Sequence, residues 1–272
     1  MRKIKCIVCM VMTFYSLTAA AQTYALADFV KTPLPEVKTK EWYDLNRSGK
    51  AYTVEVENGK LHIGKYIYSS VKEFTLPQGK LLGINRGEWG GGLYYKPNDT
   101  TRKQYYVNGQ ARKLGTKGDP FFGLQITATN DPLKEQLKQA MIIKNGNVKD
   151  IFTYRDSIYF MEGLAHLSLS YGAIYKINFR NDSINGILMQ KYNEAPMALA
   201  VHQNVIYLAT NRCFYMIENW QQTEIFKELS WYGFHPNSVA VKDKKHIYVG
   251  ITGGYIEINA QSKKLTFYKY IK

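Results

Sequence analysis

Apolar residues in the second half of the chain come in short runs broken by Gly, Asn and Thr. In "HIYVGITGGYIEIN", His246 to Asn259, two such runs are hinged on Thr252-Gly253-Gly254, and each is too short for a helix. "VIYLATNRCFYMIEN" from Val205 nearly repeats it, and "SIYFMEG" from Ser157 with "AIYKIN" from Ala173 makes a third copy. The Ile-Tyr pairs fall at 158/159, 206/207 and 247/248, at intervals of 48 and 41, while Ile177, Ile217 and Ile258 follow at 40 and 41. The longer first interval is absorbed by a longer hinge, "EGLAHLSLSYG". Approach strands precede the last two copies ("PMALAVHQN", "PNSVAVKDK"), and trailing strands follow all three ("NGILMQKY", "TEIFKEL", "KLTFYKYI").

The repeating unit is therefore four short strands in about 40 residues, the period and strand count of a propeller blade. Runs such as "VIYLA" are continuously apolar because stacked sheets cover both faces of the strand. "KLTFYKYI" mixes lysines into its apolar residues, as a water-facing edge strand should. "KLLGINRGEWGGGLYYKPND", Lys80 to Asp99, shows the same strand, hinge and strand, with "KQYYVNG" from Lys103 expected as its outer strand. Residues 115–150 are expected to hold one more blade, built from "FFGLQITATN" and "KQAMIIKNG". A short helical insertion near 131–140 is expected within it, because Asp131-Pro132 is a helix start and Leu133 and Leu137 share a face. "YTVEVENGKLHIGKY", Tyr52 to Tyr66, is a hairpin on Asn58-Gly59, expected as a partial blade closing the ring with strands from the C-terminus.

The expectation is thus an all-β chain, a β-propeller of five or six four-stranded blades over residues 51–272. "HPNSVAVKDKKHIYVGITGGYIEIN" resembles a blade of the bacterial propellers that include the NHL, YVTN and gluconolactonase-like groups. Their blades also run from a Pro-x-x-Val-Ala-Val strand to an Ile-Tyr-Val-Gly strand and a Gly turn. The resemblance is good across 151–272, fair across 80–110 and poor elsewhere. It implies a fold and no activity; the metal-binding carboxylates of the lactonase branch have no matching motif here.

Residues 1–21 read as an export signal: Arg2, Lys3 and Lys5, then a short apolar stretch from Ile7 to Leu17, then Ala19-Ala20-Ala21. Cleavage is expected before Gln22, leaving 22–50 as an N-terminal extension. A membrane anchor would need about 20 apolar residues. Cys6 and Cys9 lie too early for lipidation, and Cys213 is then the one cysteine left, which excludes an internal disulfide. The expected product is a soluble monomer, periplasmic or secreted, with no transmembrane segment. The chain carries 36 Lys+Arg against 22 Asp+Glu, a net +14. Such a balance suits a polyanion partner, but the lysines are scattered, which suits simple solubility, and nothing in the sequence argues strongly for nucleic acid.

In a propeller, the hinges between second and third strands and the links between blades open at one end of the central channel. That selects Arg86, Glu88 and Trp89; His166 and Tyr171; Asn211 and Arg212; and, on the links, Asn193, Glu194, Trp231, Tyr232, His235 and Asn237. The ligand-binding candidates are Arg86, Glu88, Trp89, His166, Tyr171, Arg212, Glu194 and His235. Arg86 and Glu88 can equally pair with each other, and Trp89 can cap a neighbouring blade. Cys213 reads as a core residue, and His62 and His246 as structural. Gly90-Gly91-Gly92 lacks phosphate-loop spacing, no nucleophile or zinc motif is present, and no metal or cofactor is expected. The leading functional expectation is a non-enzymatic module that binds a protein, peptide or glycan. The alternatives are a carbohydrate-active hydrolase or lyase using Glu88, Glu194, His166 or His235, and a polyanion-binding protein.

Overall fold

The computed structural model describes residues 23–99, 101, 104–108, 110–113, 133, 136–167, 169–180, 183–229 and 231–272. The expected export signal and "FFGLQITATN" lie outside them. Among the described residues, strands dominate and fall into five sheets. The first joins β1 (Thr23–Tyr24), β3 (Tyr52–Glu57) and β4 (Lys60–Lys65) in the order β1-β4-β3. The second holds β5 (Val71–Leu76), β6 (Gly79–Asn85), β7 (Gly91–Pro97) and β10 (Met141–Asn145). In the third, β11 (Val148–Tyr154), β12 (Ser157–His166), β13 (Leu169–Arg180) and β14 (Ser183–Tyr192) are followed at the edge by β8 (Gln104–Val107) and β9 (Gln110–Lys113). The fourth is β15 (Pro196–His202), β16 (Val205–Thr210), β17 (Phe214–Glu218) and β18 (Gln221–Phe226). The fifth runs β19 (Ser238–Asp243), β20 (His246–Ile251), β21 (Gly254–Asn259), β22 (Lys264–Tyr270) and β2 (Phe29–Thr32).

The repeat read from the Ile-Tyr pairs is the architecture of the last three sheets. Tyr159, Tyr207 and Tyr248 occupy one register position, opposite Phe152, Ala200 and Ala240 on the first strand of each sheet. Apolar layers fill the spaces between sheets. Leu81, Leu93, Phe160 and Ile177 form one such layer, Tyr159, Ile206, Leu208 and Tyr215 another, and Phe214, Trp231, Ile247 and Ile256 a third. First strands touch in succession: β11 packs on β5 and β15, β15 on β19, and β19 on β3.

Three expectations are corrected. "KQYYVNG" supplies β8, which pairs in parallel with β14 of the third sheet, so it is not the outer strand of the sheet that precedes it. That place goes to β10, from "KQAMIIKNG", through pairs such as Met141↔Tyr95, so this strand belongs to the second sheet; its expected companion "FFGLQITATN" lies outside the described residues. The described part of the expected insertion is helical at one point, where the Leu137 N–H donates to the Leu133 carbonyl (2.9 Å) and both leucines are buried beneath Tyr94. Finally, the hairpin β3–β4 does not recruit C-terminal strands. The C-terminal β22 pairs instead with β2, from the N-terminal extension. Sheet sizes consequently run from three to six strands.

The extension also carries α1 (Lys40–Arg47), capped by the Thr39 hydroxyl oxygen, which accepts from the Trp42 N–H (3.2 Å). Its Trp42 and Leu45 are buried, and they lie where Gly233 and Gly253 leave room for them. At the clasp, the Phe29 ring sits 5.2–5.4 Å from Tyr52, Tyr255 and Tyr270, and the Asp28 carboxylate pairs with Lys272.

Candidate functional site

Residues from all five sheets or their links converge on one cavity of about 340 Å³, within the range of small-ligand pockets. Tyr66 and Tyr68 come from the link after β4, Lys72 from β5 and Asn85 from the end of β6. Lys149 comes from β11, Met197 from β15, His235 and Asn237 from the link before β19, and Thr252 from the hinge after β20. A local irregularity explains why Lys149 faces this space. The register of β11 on β12 shifts between Val148 and Asp150, and that of β15 on β16 between Pro196 and Ala198. Lys149 and Met197 are the extra residues, turned out of the ladder as bulged residues are. Asn237 holds the matching position one sheet later, just before the Ser238↔Gly250 pair.

Lys149 and Asp150 are poorly hydrated, whereas Lys72 and His235 are exposed. Burial lowers the pKa of Lys149 and raises that of its neighbour Asp150, with the Lys72 ammonium opposing the latter shift. His235 stands in a left-handed backbone conformation (φ 50°). The residue is exposed at the cavity mouth, but the protein packed around its ring, then the nearby Lys149, hold it below the ordinary 6.5. The Asn237 Oδ1 accepts from the Ser238 hydroxyl (3.0 Å), while its Nδ2 is buried with no hydrogen-bond partner among the described residues.

His235 gives the fold a pH dependence with a definite sign. The unfolded ring binds a proton near 6.5 and the folded ring only below that, so between the two values the unfolded state holds more protons. Stability should therefore be full above pH 6.5 and fall as the pH drops through the folded value. Urea unfolding over a pH series should show this acid-side loss, and His235→Gln should reduce it; an unchanged profile in the variant would assign it elsewhere.

A second feature projects from the hinges. His166 Nε2 and Glu88 Oε2 are 2.9 Å apart, joining the hinge after β6 to the end of β12. Around this pair, Trp89 is 56% exposed, Tyr171 51%, Leu169 58% and Leu167 94%. Trp89 thus stands more than half in solvent on a turn that packs against β12, and Glu88 has His166 as its partner. The tip is long because β12 and β13 continue pairing to His166↔Leu169, well past the ends of the corresponding strands in the next two sheets.

The other candidates take different places. The Arg86 N–H donates to the Gly90 carbonyl (3.0 Å) and tightens the hinge. The Arg212 guanidinium lies over the Tyr232 ring at 5.9 Å. Glu194 accepts from the Tyr215 hydroxyl (3.3 Å) and the Cys213 thiol (3.5 Å), where burial pushes up both the thiol and the phenol. Trp231 is fully buried, and Asn211 is buried with its Oδ1 accepting from the Ala195 N–H (3.1 Å). His235 alone of the eight binding candidates lines the cavity. Lys72, Lys149 and the two tyrosines there were not picked out from the sequence. The available signal was the charged "VKD" at 148–150, where the equivalent strands carry "PMA" and "PNS".

Among the described residues, no three His, Cys, Asp or Glu side chains are grouped to hold a metal, and no helix is long and apolar enough to cross a membrane. No protein-family model and no curated protein matches the chain. Among solved structures, the chain is similar to a glucose dehydrogenase, at 11% identity over 90% of this chain and 81% of that chain, with a TM-score of 0.29.

Proposed function

We propose that the five sheets close into a β-propeller ring, and that the chain is an exported, non-enzymatic module binding a protein or peptide at the hinge end. One observation carries this reading: Trp89, Leu167, Leu169 and Tyr171 are held out in solvent together. Rim residues of this kind cost a free protein solubility, and aromatic anchors dominate protein interfaces. Leu167 and Leu169 favour a peptide over a glycan, because leucine offers a sugar neither a stacking face nor a hydrogen bond. The ring explains the cavity, since a channel mouth is where all the sheets can contribute.

Capture of partners from envelope extracts should fall at least tenfold in the Leu167→Ser/Leu169→Ser/Trp89→Ala triple variant, with thermal stability kept. Equal capture by the variant would overturn the reading. A carbohydrate-active hydrolase or lyase is the second reading, favoured by the Glu88–His166 contact, which is within reach for general acid–base work. It requires turnover of a sugar lactone or uronate that disappears in Glu88→Ala. The net charge of +14 leaves polyanion binding as a third reading, identified by affinity falling steeply with salt.

A further inference from the structure

We propose that the cavity shared by the five sheets is a binding site for a small organic monocarboxylate, held by Lys72 and Lys149 with Asn237 and His235 beside them. The site lies away from the rim partners discussed above, and it rests on the reading of this end of the molecule as a binding face. Four observations lead there. Two ammonium-bearing side chains line one small cavity, and neither has an ion pair recorded among the described residues. Asn237, on the same wall, carries an Nδ2 that is buried just beneath the surface with no hydrogen-bond partner among the described residues. Lys149 is placed there by a bulge in a first strand, at the position where the next sheet carries Met197. A lysine there is desolvated without a structural return, so a ligand is the natural source of its counter-charge.

Charge count selects the ligand. Lys72 and Lys149 bring two positive charges, and the adjacent Asp150 brings one negative. His235, held below 6.5, is mostly neutral at pH 7, and Tyr66 and Tyr68 carry no charge there, as phenols whose pKa lies above the ordinary 10. Arg86, whose field reaches Tyr68, stands at the edge and does not line the cavity. One net positive charge complements a monoanion better than a dianion. The remaining lining groups, Ser69, Asn85 and Thr252, can hydrogen-bond a polar body attached to the carboxylate. Binding would relieve Lys149 and draw His235 toward protonation, because a carboxylate favours the charged form of both.

The test follows the His235 ring by NMR at pH 6.5 and constant ionic strength while acetate or glucuronate replaces chloride in the full chain. The expected result is a saturable shift toward the protonated position, tighter for glucuronate. It should weaken at least tenfold in both Lys149→Met and Lys72→Met. Lys149→Met should keep or raise the urea midpoint, which separates lost binding from lost folding. A shift that never saturates, or one unchanged in Lys149→Met, overturns the proposal. Tighter saturable binding of inorganic phosphate overturns the choice of a monocarboxylate. The rim triple variant should retain the carboxylate response, so failure at the rim and failure in the cavity read out separately.

Discussion

Replacing Trp231 by alanine is expected to cost about 3–5 kcal/mol, the range for deleting a large buried aromatic, and to lower Tm by about 10 °C in a chain of this size. Trp231 is wholly buried in the layer between the fourth and fifth sheets, with the Phe214 ring edge-on at 6.4 Å. Phe234 and the helix residues Trp42 and Leu45 belong to the same cluster. A cavity there cannot collapse easily, because strands on one side and α1 on the other are fixed by their own hydrogen bonds. The Trp231 Nε1 has no hydrogen-bond partner among the described residues, so Trp231→Phe removes an unsatisfied donor along with part of the ring and should cost clearly less than alanine. Urea unfolding of the two variants checks the order; equal losses would show that the indole's volume is not what holds the two sheets.

Gly253→Ala should be the second large effect, about 2–5 kcal/mol. Gly253 has φ +84°, a conformation that costs an L-residue about 1–2 kcal/mol. A β-carbon there would also collide with the Leu45 side chain, adding about 1–3 kcal/mol of overpacking. Gly59 is the internal control. Its φ is +72°, but nothing lies within 4 Å of the added carbon, so Gly59→Ala should show only the backbone part. Because Leu45 and Trp42 sit on the same helix, Gly253→Ala should also red-shift tryptophan emission as α1 lifts. Matching losses at the two glycines would mean that α1 yields without resistance.

The contrast between these glycines mirrors what could be read in the chain. Strands β12, β13, β16, β17, β20 and β21 announce themselves because each is apolar on both faces, and stacking between sheets demands that pattern at a fixed interval. The Thr252-Gly253-Gly254 hinge is equally visible. That a helix from residues 40–47 rests on it is not, because docking of α1 depends on a surface assembled from residues 200 positions away. The same limit applies to β2, "FVKT", and β8, "QYYV". Four residues cannot encode which edge they will join, and the edge chosen is fixed by where the rest of the chain leaves room. Glu88 and His166 were selectable because hinges carry exposed polar residues. Lys149 was overlooked because a strand position was taken to point into packing, and the bulge that turns it outward has no clear signature in "NVKDIF".

The pairing of Phe29–Thr32 with Phe267–Tyr270 sets a timetable for synthesis. A polypeptide made N-terminus first presents β2 some 240 residues before its partner β22 exists, and contacts so distant in sequence form slowly. Phe29 and Tyr24 must wait, greasy and uncovered, while the middle sheets assemble. A nascent copy is therefore one that proteases and holding chaperones can tell from a finished one by its unpaired β2 alone.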